Sequence, residues 1–159
     1  MSQGKLALLL VPAAAVGAGT LIALRLHFEP PTVPPYALAE SGDGVVLTPG
    51  HRFEVDLRPT APVTGAVAAR AFLLQGEHVR PWDPPFSVFS DGSVRIAGSV
   101  DALFAGVPAG DWEIAVAVGR PEVLPTAPRD VLRARSEDGR HSDAAVGWRL
   151  VRERVRLGD

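Results

Sequence analysis

Arg52-Phe53-Glu54-Val55-Asp56-Leu57-Arg58 alternates charged and apolar residues without a break. A period of two marks a β-strand with one face in a core and the other in water, because successive side chains of a strand point to opposite sides. Trp112, Ile114, Val116 and Val118 repeat the pattern, with Asp111, Glu113, Ala115 and Ala117 on the opposite face. Gly65 to Leu74 contributes a longer apolar run. Phe86-Ser87-Val88-Phe89 leads through Ser90-Asp91-Gly92 into Val94-Arg95-Ile96. Asp-Gly supplies the positive φ values that tight turns need, so this spacing predicts a β-hairpin. Near the end of the chain Trp148 and Leu150 share one parity, whereas Val151, Val155 and Leu157 share the other. Keeping both sets inward predicts a bulge or slip around Leu150-Val151.

Outside the amino-terminal segment only Pro128 to Arg135 reads as helical, with proline near its start and good helix formers after it. It lacks a wide apolar stripe, and Gly139 soon follows, so a short helix and then a polar loop over Ser136 to Ala144 are expected. Several short strands separated by Pro/Gly turns, with one short helix, predict a mainly β chain folded as an antiparallel β-sandwich.

The amino-terminal part has a different character. Nineteen residues without a charge, Leu6 to Leu24, lie between Lys5, the only lysine, and Arg25. As a helix they would reach roughly 28 Å, close to the ~30 Å hydrocarbon thickness of a bilayer. A transmembrane anchor over 6–28 is expected. A secretory signal peptide is the rival, with Lys5 as its n-region and Ala13-Ala14-Ala15 or Val16-Gly17-Ala18 as the cleavage motif, and a buried helix is a third reading. Cleavage would leave Thr20-Leu21-Ile22-Ala23-Leu24 as an exposed apolar end. Residues 1–5 then form a short cytoplasmic amino terminus, 29–43 a proline-rich linker and 44–159 an extracytoplasmic β-sandwich domain. The linker holds Pro30, Pro31, Pro34 and Pro35, which fix φ and favour an extended, semi-rigid spacer. Flanking charges nearly balance; the five-residue tail and the spacer after Arg25 place the domain on the extracytoplasmic (periplasmic) side of the inner, cytoplasmic membrane.

No cysteine is present, so neither disulfides nor a lipid-modified cysteine occur. After Arg25, fourteen arginines meet 18 carboxylates, and this acidic balance speaks against a general nucleic-acid surface.

Leu103-Phe104-Ala105-Gly106-Val107-Pro108-Ala109-Gly110-Asp111-Trp112-Glu113-Ile114 resembles the Phe-x-x-Val-Pro-x-Gly-x-Tyr-x-Leu signature of carboxypeptidase-regulatory-like and transthyretin-like Ig-type domains. Asp91-Gly92-Ser93-Val94 is similar to the strand that precedes that turn in those families, although here Gly98 to Ala102 lies between the two motifs as an extra stretch. The resemblance implies an Ig-like sandwich in which Val107 and Trp112 pack inward on either side of a turn that Pro108 stiffens and Gly110 closes. More loosely, Ala69-Arg70-Ala71-Phe72-Leu73, Val118-Gly119-Arg120-Pro121 and Trp148 resemble anchored proteins of GC-rich bacteria associated with regulatory gene clusters.

Chemistry-bearing motifs are sparse. His27, His51, His78 and His141 are isolated, and neither a zinc-ligand spacing nor a Gly-x-Ser-x-Gly elbow nor a phosphate-cradling glycine loop is present. His141-Ser142-Asp143 contains triad residue types, but adjacent residues rarely face one another. No catalytic residue, metal or cofactor is expected. Two features suit a protein partner. Trp82, within Arg80-Pro81-Trp82-Asp83-Pro84-Pro85, is either an exposed recognition anchor or a cap on the end of the sandwich. Arg149, Arg152, Arg154 and Arg156 would face outward on the last strand, either docking an acidic partner or charging an edge against aggregation. The expected function is a non-catalytic, single-pass interaction module of a membrane-associated regulatory complex. The alternative is a sensor of a small ligand or carbohydrate, which calls for aromatics converging in a concave groove.

If Leu6 to Leu24 is an anchor, the full-length protein stays in the membrane pellet after a carbonate wash. A mature protein in the soluble fraction, with an amino terminus near Gly17 or Gly19, would instead identify a cleaved signal.

Overall fold

The computed structural model describes residues 33–39, 45–136 and 147–158, which form nine strands in two sheets. In chain order these are β1 (Tyr36–Leu38), β2 (Val45–Leu47), β3 (Arg52–Pro59), β4 (Ala68–Gln75), β5 (His78–Trp82), β6 (Phe86–Val88), β7 (Val94–Ser99), β8 (Gly110–Gly119) and β9 (Trp148–Leu157). One turn of helix, α1 (Val100–Leu103), links β7 to β8, and a 3-10 turn (Pro121–Val123) with α2 (Pro128–Ser136) follows β8. The Leu6 to Leu24 segment and His141-Ser142-Asp143 lie outside the described residues. Among the described residues no helix is long and apolar enough to cross a membrane.

One sheet runs β1-β3-β7-β6 and the other β2-β9-β8-β4-β5. All pairs are antiparallel except β2 with β9, which is parallel. The fold is therefore mainly β, mostly antiparallel, with little helix. The inner faces share one core. β3 contributes Phe53, Val55 and Leu57, as its alternation predicts, and β7 contributes Val94 and Ile96. Across from them stand Ala71 and Leu73 of β4, Trp112, Ile114, Val116 and Val118 of β8, and Val155 and Leu157 of β9. The Asp91-Gly92 hairpin forms as expected, pairing Phe86 with Ile96 and Val88 with Val94. Gly92 sits at φ +85°, and the Asp91 carboxylate accepts from the Ser93 amide (2.9 Å) and hydroxyl (2.6 Å). Those bonds hold the Asp91 carboxyl below its ordinary pKa.

The turn into β8 also has the expected form: Gly110 takes φ +134°, Val107 packs against the core, and the Trp112 indole donates to the Pro108 carbonyl at 2.9 Å. The extra stretch at Gly98 to Ala102 is where α1 forms, a helix absent from the sequence expectation, capped by the Ser99 hydroxyl.

Three other expectations change. The outer face of β8 is in water only at its Asp111 end: Ala115 and Ala117 are fully buried in a second cluster with Phe72, Leu74, Leu124 and Val131. α2 packs there against β5 and β9, and alanine is small enough to let it approach. The β8–β9 register then runs unbroken from Gly110–Leu157 to Gly119–Trp148, with no bulge at Leu150-Val151. Val151, Val155 and Leu157 join the main core while Trp148 and Leu150 join the second, so both parities are buried because the sheet has a core on each side. Finally, the stretch assigned to the linker contributes a strand: Tyr36–Leu38 pairs with β3, and the Tyr36 hydroxyl donates to the Gly92 carbonyl at 2.9 Å.

Trp82 ends β5 inside the core. It stacks on Phe104 (centroids 5.1 Å apart, planes 18° apart), which meets Phe53 edge-on, and its indole donates to the Leu103 carbonyl at 2.7 Å. The recognition-anchor reading of Trp82 is thereby corrected, since both its ring and its polar atom are taken up by residues at the end of α1. Trp82→Ala should cost ~3 to 5 kcal/mol in urea unfolding. Trp82→Phe keeps a ring but leaves the Leu103 carbonyl unpaired and should cost about 1 to 3 kcal/mol.

Candidate functional site

The two outer sheet faces carry charge in different ways. On the four-stranded sheet, cross-strand pairing sets Asp56 opposite Arg95. The guanidinium grips both carboxylate oxygens, Nε to Oδ1 at 2.6 Å and Nη2 to Oδ2 at 2.8 Å. This hydrogen bonding holds the Asp56 carboxyl below its usual value and raises Arg95. Arg58 adds a contact to Asp56 at 3.6 Å, Arg52 pairs with Glu54 at 3.6 Å, and Arg95 lies over the Phe89 ring. Cation and anion answer each other along this face.

On the five-stranded sheet, α2 covers only part of the outer face. Where it ends, β8 presents Glu113 and then Asp111, and β9 presents Arg152, Arg154 and Arg156. Strict cross-strand pairing would match Glu113 with Arg154 and Asp111 with Arg156. The Glu113 carboxylate is instead divided between two other arginines. Oε1 takes Arg152 Nη1 at 3.2 Å and Oε2 takes Arg135 Nη2 at 3.1 Å. Arg135, near the end of α2, also donates to the Gly76 carbonyl at 2.6 Å, tying the helix to the β4–β5 turn. The Glu113 side chain is only 10% exposed, so it is enclosed by its partners. Arg154 is exposed and, among the described residues, has no carboxylate within ion-pair distance. Arg156 and Asp111 meet at 3.7 Å with side chains 66% and 83% exposed, a loose contact in water.

Arg135, Arg154 and Arg156 line a groove of about 410 Å³ beside Asp111 and Glu113, with exposed Val46 of β2 among its other lining residues. The volume lies within the range of small-ligand sites. Guanidiniums present planar donor forks suited to carboxylates and related oxyanions, so the groove can hold an anion. Among the described residues no three histidine or carboxylate groups cluster as a metal site would require.

The expected arginine row is thus divided. Arg152, Arg154 and Arg156 share the outer face, but Arg149 has the opposite parity and donates from Nε to the Val33 carbonyl at 3.0 Å, holding the residue three before β1 against β9. β2 pairs alongside β9 only over Val155 to Leu157, so Arg156 lies in a stretch flanked on both sides, while Arg149, Arg152 and Arg154 precede it. Sequence reasoning missed Arg135 and Glu113, whose association is tertiary and leaves no mark in spacing. Compared with family models and with curated proteins, the chain matches none.

Glu113→Ala should lower stability by about 1 to 3 kcal/mol in urea unfolding, because two half-buried guanidiniums lose their shared anion. Arg154→Ala, one strand away, should change it by no more than about 0.5 kcal/mol.

Proposed function

We propose that the chain is a non-catalytic, membrane-anchored interaction module whose arginine groove docks an acidic protein partner. In this reading Leu6 to Leu24 holds the protein in the inner membrane, the prolines before Val33 form a short stalk, and an Ig-like sandwich stands on the extracytoplasmic side within a regulatory complex. The observation that carries the docking role is Arg154, an exposed cation facing a groove whose nearest buried carboxylate, Glu113, is already taken by Arg135 and Arg152.

The Ig-like assignment is supported by strand order. The β1-β3-β7-β6 sheet follows the A-B-E-D order of immunoglobulin sandwiches, and β9-β8-β4-β5 follows G-F-C with an added C′. The chain passes from one sheet to the other between β1, which pairs with β3, and β2, which pairs in parallel with β9. A carbohydrate sensor would need aromatic rings converging in the groove; Trp112 is the one aromatic among its lining residues, and its side chain is buried in the main core, as is that of Trp82.

The test is purification from detergent-solubilised native membranes of the wild type and of an Arg154→Glu, Arg156→Glu variant. Circular dichroism and melting temperature should stay nearly unchanged, since exposed charges contribute only about 0 to 1 kcal/mol. An acidic partner should co-purify with the wild type in a salt-sensitive manner and be lost from the variant. Equal recovery with both proteins would place recognition on another surface.

A further inference from the structure

The groove has a feature that simple basic patches lack: one of its own carboxylates is placed to compete with a ligand. We propose that the groove binds two neighbouring carboxylates of an acidic segment on a partner protein, one at Arg154 and one at Arg156, and that Asp111 is the internal anion displaced from Arg156 on binding. This rests on the docking role assigned to the groove above and specifies its ligand chemistry.

Arg154 and Arg156 leave β9 on the same face two residues apart, which at 3.4 Å per residue sets their origins about 6.8 Å apart. An extended segment presents its residues i and i+2 at the same spacing. One acidic side chain can then meet the Arg154 fork without breaking any interaction, because the carboxylate across from it on β8, Glu113, is held by Arg135 and Arg152. The second reaches Arg156, whose only described carboxylate contact is Asp111 at 3.7 Å. Both members of that pair are largely exposed, so their mutual attraction is weak and easily exchanged. Arg135 cannot move to meet the ligand in the same way, since it is fixed at once to Glu113 and to the Gly76 carbonyl. It adds a stationary positive wall. Three guanidiniums, those of Arg135, Arg154 and Arg156, beside two carboxylates leave the groove cationic on a chain whose overall balance is acidic, so the site is electrostatically distinct from its surroundings.

The exchange has a signature that a general basic surface would not give: removing the Asp111 charge should strengthen binding. The experiment uses full-length protein in detergent micelles and a fluorescent Glu-Ser-Glu-Ser-Glu peptide followed by anisotropy, with the Gln-Ser-Gln-Ser-Gln peptide as control. Arg154→Gln should weaken binding about tenfold, as for loss of a charge-assisted hydrogen-bonded pair. Asp111→Asn should tighten it roughly two- to fivefold, the scale of an exposed ion pair released from competition. Arg58→Gln, on the opposite sheet, should leave it unchanged. Equal binding of the glutamine peptide, or of Arg154→Gln, would overturn the site, and unaltered affinity of Asp111→Asn would overturn the exchange. Inorganic phosphate displacing the peptide at matched ionic strength would identify a small-anion site and also overturn the proposal. Failure of the peptide to bind while a native partner still depends on Arg154 and Arg156 would overturn the two-carboxylate chemistry alone and leave the docking role intact.

Discussion

β8 has no solvent face from Trp112 to Gly119, and the five-stranded sheet is organised around that constraint. A strand buried on both sides needs paired neighbours on both edges and apolar cover above and below. β4 and β9 supply the edges, and the four-stranded sheet supplies the lower cover. The upper cover is α2 with Leu124 of the preceding loop, admitted closely by Ala115 and Ala117 and centred on the fully buried Val131. Residues on β4 respond to the same demand: Ala71 and Leu73 face the main core while Phe72 and Leu74 face the second. Its continuous apolar run is what two-sided burial requires.

The cover stops at the end of α2, and the chemistry changes there. Glu113 stands where the enclosed part of the β8 outer face meets the open part. A carboxylate in that position needs partners that supply hydrogen bonds as well as charge, because its own solvation is largely lost. Arg135 and Arg152 provide both, so the acid that could have neutralised Arg154 is used to fasten the helix. The four-stranded sheet shows the other solution. Asp56, similarly short of solvent, takes the residue directly opposite as its main partner, with Arg58 and Glu54 at the margins of the pair.

The sequence was most legible where one face of a strand meets water. β3 and the β6–β7 hairpin follow directly from alternation and from Asp91-Gly92, because polar residues there mark the exposed side. It was least legible where a second layer buries the opposite side. Alanine at 115 and 117 is compatible with water and with close helix packing, so composition does not decide between them. The same second layer removes the need for a slip at Leu150-Val151, since each parity has its own core. Trp82 misled for a related reason. Its flanking prolines suggest a loop, but Pro81 sits within β5, an outermost strand of its sheet, where a missing backbone donor is tolerated.

The arginines show how far charge patterning carries. Arg149, Arg152, Arg154 and Arg156 look alike in sequence, yet one binds the Val33 carbonyl just before β1, one fastens α2 through a shared acid, one is free of carboxylates among the described residues and one is loosely paired. Parity alone separates the first from the rest. Separating the other three requires knowing where α2 ends, because Arg135 decides which anion remains for which cation. The exposed charge of Arg154 is therefore left by a structural interaction: the tighter Glu113 binds the helix, the less negative charge it offers to Arg154. The carboxylate that fastens the helix and the guanidinium left exposed are therefore different groups on facing strands.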